Sequence, residues 1–533
     1  MKNNKQIFLS LAMALVLVSC CAKKEGTTAY QQITDEAIAA CYEGVTFEMP
    51  RLKAPVFPSR VVSIQDFGAV GDGLTLCTEN IQRAIDETSE QGGGTVVIPA
   101  GIWLTGPIVL KDNIRLYAAQ GALVQFSADF SLYPIRDASF EGVDTKRCQS
   151  PISAFGAKNI AITGEGVFNG SGDAWRPLKK SKVTGSQWKK KVASGGVVTE
   201  DEKVWYPNEA AMRAQSMCVD QNVPEGLTTD AEWEEIRAFL RPVMLNVVNC
   251  DGVLLEGVTF ENSPAWNLHP LMSNNVILYR LNVRNPWYAQ NGDGVDLESC
   301  KNSIIAHCSF DVGDDAICMK SGKNEDGRRR AMPTENVIIT GCTVYHGHGG
   351  FVVGSEMSGD VRNIALNNCL FIGTDVGLRF KSTRGRGGIV ENIYVDNINM
   401  TNIATDPLLF DLFYGGKGAG EETDEEIAAR VNAAIPPVTE ETPQFQNIFI
   451  SHVNCSASAR AMYFNGLPEM KIRNVRVSDC VIRAEKGAVF NQTDGLALSN
   501  IRIIQQDGPA AKFLHVDNLS LDNVVDGAGN AVQ

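Results

Sequence analysis

What this 533-residue chain lacks narrows its possible functions before any motif is read. It has no excess of positive charge: Asp and Glu number 62 against 48 Lys and Arg, for a formal charge of −14. Nucleic acid is therefore set aside as a partner, because a phosphate backbone is bound through counterion release at a basic surface. Long runs of one charge are few, so there is no acidic tail. No apolar run is long enough to cross a bilayer comfortably; the longest, residues 7–18, is shorter than a spanning helix needs. No metal-ligand motif has complete spacing. What remains is a chain 44% hydrophobic and 21% charged, the composition of a globular protein with ample core material.

The short apolar run follows Lys2 and Lys5 and has the form of an export signal. It closes on Leu17-Val-Ser-Cys20, which resembles a lipobox. That resemblance implies removal of residues 1–19 and acylation of Cys20. Residues 20–59 then read as a tether and N-terminal extension. No acidic run resembling a surface-export signal follows, so the expected location is a bacterial outer membrane, facing the periplasm. Contact with the membrane is expected only through the lipid, and the chain is expected to be monomeric.

Beyond residue 100 one phrase recurs: Asn followed by alternating apolar residues. It begins at Asn275, Asn302, Asn336, Asn363, Asn392, Asn447, Asn474 and Asn500, with successive differences of 27, 34, 27, 29, 55, 27 and 26. A period near 27 with insertions is a solenoid signature, and the two-residue alternation makes its units strands. The expected fold is all-β, a right-handed parallel β-helix occupying residues 60–533. The 14 cysteines fit the same repeat. Cys308, Cys342, Cys369 and Cys480 each fall six residues after a repeat Asn, in the slot that Leu281, Ile398, Val453 and Val524 fill elsewhere. They read as small buried hydrophobes, and no structural disulfide is expected.

A turn cluster, Phe67-Gly-Ala-Val-Gly-Asp-Gly73, precedes a helical pattern over 78–89, with Thr78 at the N-cap position. This segment is expected to cap the first coil. An insertion over 171–241 interrupts the repeat and carries four of the seven Trp, Lys179-Lys180, Lys189-Lys-Lys191 and a helical pattern over 230–240. Its Trp content favours an ordered wall.

Polar groups recur at matched counts from the repeat marks. Asp314 lies 12 residues after Asn302 and His348 lies 12 after Asn336, while Asp293 and Lys381 each lie 18 after theirs. Matching counts predict one polar patch on consecutive coils. Adjacent strand residues face opposite sides, so Asp314 and Asp315 share a face only across a turn or bulge, which Gly313 permits. Clustered carboxyls suit glycoside hydrolysis, in which one donates a proton and another activates water. Crowding by Asp293 should raise one pKa and supply the acid. Arg379 and Lys381 would meet an anionic sugar. Thr383-Arg-Gly-Arg-Gly387 and Arg328-Arg-Arg330 read as extensions of that basic cluster.

In order, Asn291-Gly-Asp-Gly294, Gly313-Asp-Asp315, Gly347-His-Gly349 and Arg379-Phe-Lys381 closely resemble the four motifs of glycoside hydrolase family 28, the polygalacturonases. Phe67–Gly73 resembles the entry of the same pectin-lyase-like β-helix. The resemblance runs from about residue 60 to the C-terminus. It implies inverting hydrolysis of α-1,4-linked galacturonic acid, with Asp314 as general acid, Asp293 and Asp315 activating water and His348 supporting the acid. It implies that Arg379 and Lys381 grip a substrate carboxylate, with Asn291 and Tyr414 at subsites. Gly292 stands where the family usually has Thr, and Phe380 where it has an aliphatic residue, which would reshape the sugar floor. One extra residue before Gly354-Ser355 leaves His346 as the fallback for His348. His269 is either a core histidine or a subsite residue. Asn291-Gly-Asp-Gly-Val-Asp296 lacks the ligand spacing of a calcium loop, so no metal or cofactor is expected. The expected partner is an acidic pectic poly- or oligosaccharide. The insertions at 171–241 and 323–334 resemble those of exo-acting members, which release galacturonic acid. Three alternatives stand beside this: cleavage of a galacturonic acid linkage in rhamnogalacturonan, a calcium-dependent lyase, or a non-catalytic glycan-binding lipoprotein.

Overall fold

Asparagine explains why the repeat works. The computed structural model describes residues 32–220, 222–415 and 434–533; Cys20 and the export segment lie outside the described residues. All eight repeat asparagines have φ between 48° and 59°, the left-handed region that Asn tolerates better than most residues. Their side chains stack from coil to coil. Asn336 donates to Asn302 at 3.0 Å, Asn363 to Asn336 at 3.0 Å, and Asn474 to Asn447 at 2.7 Å. Each corner is thus made by a residue that accepts the backbone turn and bonds the next coil.

Between these corners, 31 strands among the described residues form one parallel sheet wound into a β-helix. The register is continuous: Val337 pairs with Ile364, Ile364 with Ile393 and Ile393 with Ile448. The interior holds Val, Ile, Leu and a file of phenylalanines, with Phe380–Phe410 and Phe410–Phe464 centroids both 4.3 Å apart. Phe380 therefore points inward and is fully buried; it does not form a sugar floor. The cysteine slot is internal as expected: Cys369 pairs with Ile398 and Ile398 with Val453, all buried. The twelve described cysteines are free thiols.

The cap is the helix Thr78–Glu90, which buries Ile81, Ala84 and Ile85. Its N-cap residue is Cys77, not Thr78. The Thr78 hydroxyl instead accepts from Gly106 N at 2.6 Å, tying helix to coil. The expected tether is not loose over its described part. A short helix, Asp35–Ala40, and the segment after it bury Ile38, Tyr42 and Leu52 against Leu254, Ile277 and Ile304 on the outside of the coils. The insertion over 171–241 is folded over its described residues, with Trp175, Trp188 and Trp205 buried. Its predicted helix spans only Asp230–Glu235, followed by a 3-10 turn at Arg237–Phe239.

Candidate active site

Local backbone geometry answers how two adjacent aspartates share a face. Asp315 opens the strand Asp315–Lys320, whereas Asp314 sits in the bend before it, so strand alternation does not apply to the pair. Gly313 is required by close approach. A Cβ there would lie 2.5 Å from Pro286 O and 2.7 Å from Ala289 O. Gly292 is confined in the same way, since its Cβ would meet the Ala289 Cβ at 2.6 Å.

Asp314 and His348 meet as the spacing predicts. His348 N donates to Asp314 O at 2.9 Å, and its Nδ1 lies 3.1 Å from Asp314 Oδ1. His346 turns away to Asp311, at 2.8 Å on the exposed side, so it does not take the place of His348. Asp293 and Lys381 are not level, despite equal counts. Val295 pairs with Ile317, and Gly294 N donates to Asp315 O at 2.9 Å, which sets Asp293 beside Asp315. Lys381 pairs with Asp411, further along its coil. It still reaches the cluster, because its Nζ lies 2.6 Å from Asp315 Oδ2, while Arg379 Nη1 lies 3.2 Å from Asp315 Oδ1. One oxygen each from Asp293, Asp314 and Asp315 fall within 4.8 Å of one another.

This cluster lines a cavity of about 590 Å³ that also exposes Asn291, Tyr414, Lys320, Glu356, Glu141 and Trp266. Tyr414 lies beneath the cations, its ring 4.9 Å from Lys381 Nζ. Asn291 Oδ1 accepts from Arg241 at 3.0 Å and from Asn222 at 3.2 Å. Lys179, Lys182, Gln215 and Asn222 of the insertion form part of the lining, so the insertion is a wall.

Charge is distributed unevenly. Burial would raise Asp314, but His348, Lys381 and Arg379 outweigh it and hold its carboxyl well below the usual range. Asp315 is also lowered: Lys381 and Arg379 overcome its burial. Asp293 is raised by burial, then by Asp296 and Asp314. The carboxylate of Asp314 raises His348 against a smaller opposing effect of burial. Burial first and crowding second thus lift Asp293, not Asp314, while the Asp314 carboxylate favours the protonated form of His348. Beneath them Lys320 lies 2.6 Å from Glu356 and 3.6 Å from Asp296.

One open alternative is decided and two expectations are corrected. His269 does not line the cavity; it is fully buried, with Nε2 2.8 Å from Glu298 and Nδ1 3.1 Å from Asn246. It is a paired core histidine. Arg328, Arg329 and Arg330 do not enlarge the basic cluster, because they bond Glu441, Asp326 and Glu298 respectively. Arg384 is likewise taken by Glu469 and Arg386 by Asn324. Sequence reasoning missed Lys320 and Glu141. Lys320 follows Asp315 on the same strand, and its charge among apolar residues was a signal; Glu141 lies on a hairpin outside the repeat and left none.

Fold and site define the class: a pectin-lyase-like parallel β-helix with carboxylates and cations gathered on one face. Residues 234–456 match the model of "Glycosyl hydrolases family 28", and 61–173 match "Rhamnogalacturonase A/epimerase, pectate lyase-like". The chain carries a glycoside hydrolase family 28 domain. It is 28% identical over 384 residues to an exo-poly-alpha-D-galacturonosidase of Dickeya chrysanthemi, covering 70% of this chain and 60% of that protein. It is 27% identical over 358 residues to an endo-polygalacturonase of Pectobacterium carotovorum, covering 66% of this chain and 75% of that protein. The crystal structure of an exopolygalacturonase from Thermotoga maritima matches with a TM-score of 0.65 at 29% identity, over 88% of this chain and 94% of that one.

Proposed function

We propose that the protein is a polygalacturonase, hydrolysing α-1,4-galacturonosyl linkages with inversion and releasing galacturonic acid from chain ends. The observation that carries this reading is the meeting of three aspartates within 4.8 Å, beside His348, Arg379 and Lys381, in one cavity. Asp314 is the acid: it is the more exposed of the pair and is bonded to His348, so the two hold one proton as a unit. That proton passes from His348 through Asp314 to the leaving oxygen. Asp293 and Asp315 hold the attacking water, whose proton goes to the ionised Asp315 carboxylate. The aspartates stand closer than the roughly 6.5–9.5 Å usual for inverting pairs, which makes product stereochemistry a direct test of inversion. Arg379 and Lys381, neighbours in the cavity lining, supply the contact for a sugar carboxylate. Walls from the insertion support an exo mode, since an axial groove is otherwise open at both ends.

The test is digestion of polygalacturonic acid with chelator present. Retained activity, products without unsaturated-uronide absorbance and an inverted anomer by early NMR support the reading. Activity restored by calcium with that absorbance would identify a lyase, and cleavage restricted to rhamnogalacturonan would move the substrate. We also propose a lipid anchor at Cys20 in a periplasm-facing outer membrane; mass spectrometry of the native N-terminus and protease access to intact cells test it.

A further inference from the structure

A carboxyl group that none of the roles above uses also faces the cavity. Glu141 is 2% exposed and sits at the turn of the hairpin formed by Ile135–Phe140 and Val143–Cys148, with φ of 51°. The hairpin tip is pinned: Lys323 N donates to Gly142 O at 2.9 Å, and a Cβ on Gly142 would lie 2.8 Å from the Lys323 Cβ. Its carboxyl joins two other excursions. Oε1 accepts from Asn222 Nδ2 at 2.7 Å and Oε2 from Asn222 N at 3.0 Å, while Asn291 Nδ2 approaches Oε1 at 3.5 Å. Residue 222 comes from the insertion and Asn291 stands two positions before Asp293. A carboxyl offers about four acceptor sites, so these three contacts leave acceptor capacity facing the cavity.

We propose that Glu141, held by Asn222, is an end-reader that accepts a hydrogen bond from the free hydroxyl of a chain-terminal sugar. The inference rests on the polygalacturonase reading. With Asp314 giving its proton to the leaving oxygen and Asp293 holding water, the sugar that loses its leaving group lies on the Asp293 side. Glu141 is linked to that side through Asn291, so the terminal sugar there is the non-reducing one, whose free hydroxyl in a 1,4-linked chain is at C4. A free hydroxyl can donate to a carboxylate. A glycosidic oxygen cannot: against the ionised form of Glu141, which burial opposes and the Asn222 donors and Lys323 favour, it sets acceptor against acceptor, and the carboxylate loses a partner. Glu141 thereby favours a chain end over a chain that continues.

The experiment compares saturated trigalacturonate with a trigalacturonate carrying a 4,5-double bond at its non-reducing end, which has no C4 hydroxyl. For the unmodified protein, kcat/KM is expected to fall roughly ten- to a hundred-fold on the unsaturated trimer, the range for a hydrogen bond to a charged group. Glu141→Gln, with folding checked by thermal melt, is expected to bring the two substrates within about threefold of each other by losing rate on the saturated one. Equal rates on both trimers by the unmodified protein would overturn the inference without needing any variant, as would a folded variant that keeps the full discrimination. Failure to cleave saturated trigalacturonate or polygalacturonate at all would instead overturn the underlying reading.

Discussion

At the scale of single residues, the account turns on where one proton sits. His348 is raised above its ordinary 6.5 by the Asp314 carboxylate, and Asp314 is held low. The charged histidine therefore stabilises the fold fully below about pH 6.5, a contribution lost as pH rises through its raised native value. Asp314 contributes above its ordinary value near 3.8 and loses that contribution as pH falls through its lowered one. Between these limits the pair carries a single proton. Turnover is expected to decline on the alkaline side as that proton is lost, and His348→Asn should move this limb of the kcat/KM profile to lower pH. An unchanged limb would remove His348 from the proton path. Asp314→Asn should cost about 10²–10⁴-fold in turnover in a protein that stays folded; near-normal turnover on polygalacturonate would reassign the acid.

Asp315 makes a different case. Both its oxygens are occupied by Arg379 and Lys381, all three groups buried. Removing either cation leaves one oxygen of a buried carboxylate without its partner, and breaking a buried pair typically costs about 3–5 kcal/mol. Lys381→Ala should thus lower stability as well as weaken binding of free-acid substrate, while methyl esterification of the substrate should copy only the binding defect. A variant with unchanged stability would mean that Asp315 is compensated elsewhere.

At the scale of the coil, the Asn corner is the unit that was legible in the sequence, because few other side chains accept positive φ and also bond their counterpart one coil on. Asn336 receives from Asn363 and donates to Asn302. Asn336→Ala should destabilise by about 1–3 kcal/mol through strain and two lost bonds; Asn336→Gly, free of the strain, should cost less. Equal losses would assign the whole effect to the ladder. The same periodicity located Asp314 and His348 correctly, since their coils run in step. It misplaced Asp293 relative to Lys381 because the chain between corner and site varies from coil to coil, and a count cannot see that. The arginine run at 328–330 misled for another reason: charge in a sequence does not tell whether its partner is substrate or a neighbouring Glu.

At the scale of the molecule, the protein carries a formal charge of −14, and for a polyanionic substrate the long-range field is repulsive. Within the cavity Arg379 and Lys381, with Lys179 and Lys182 of the wall, place cations where the substrate would lie. The excursions that wall the cavity, the hairpin and the insertion, lie outside the repeat, and so the wall's contribution of Glu141 was not legible. Both bear on mode of attack, the central claim here. Following polygalacturonic acid digestion by viscosity and chromatography together tests it most directly. The account predicts slow thinning with galacturonic acid present from the first time point; a rapid fall in viscosity with an early ladder of oligomers would contradict it.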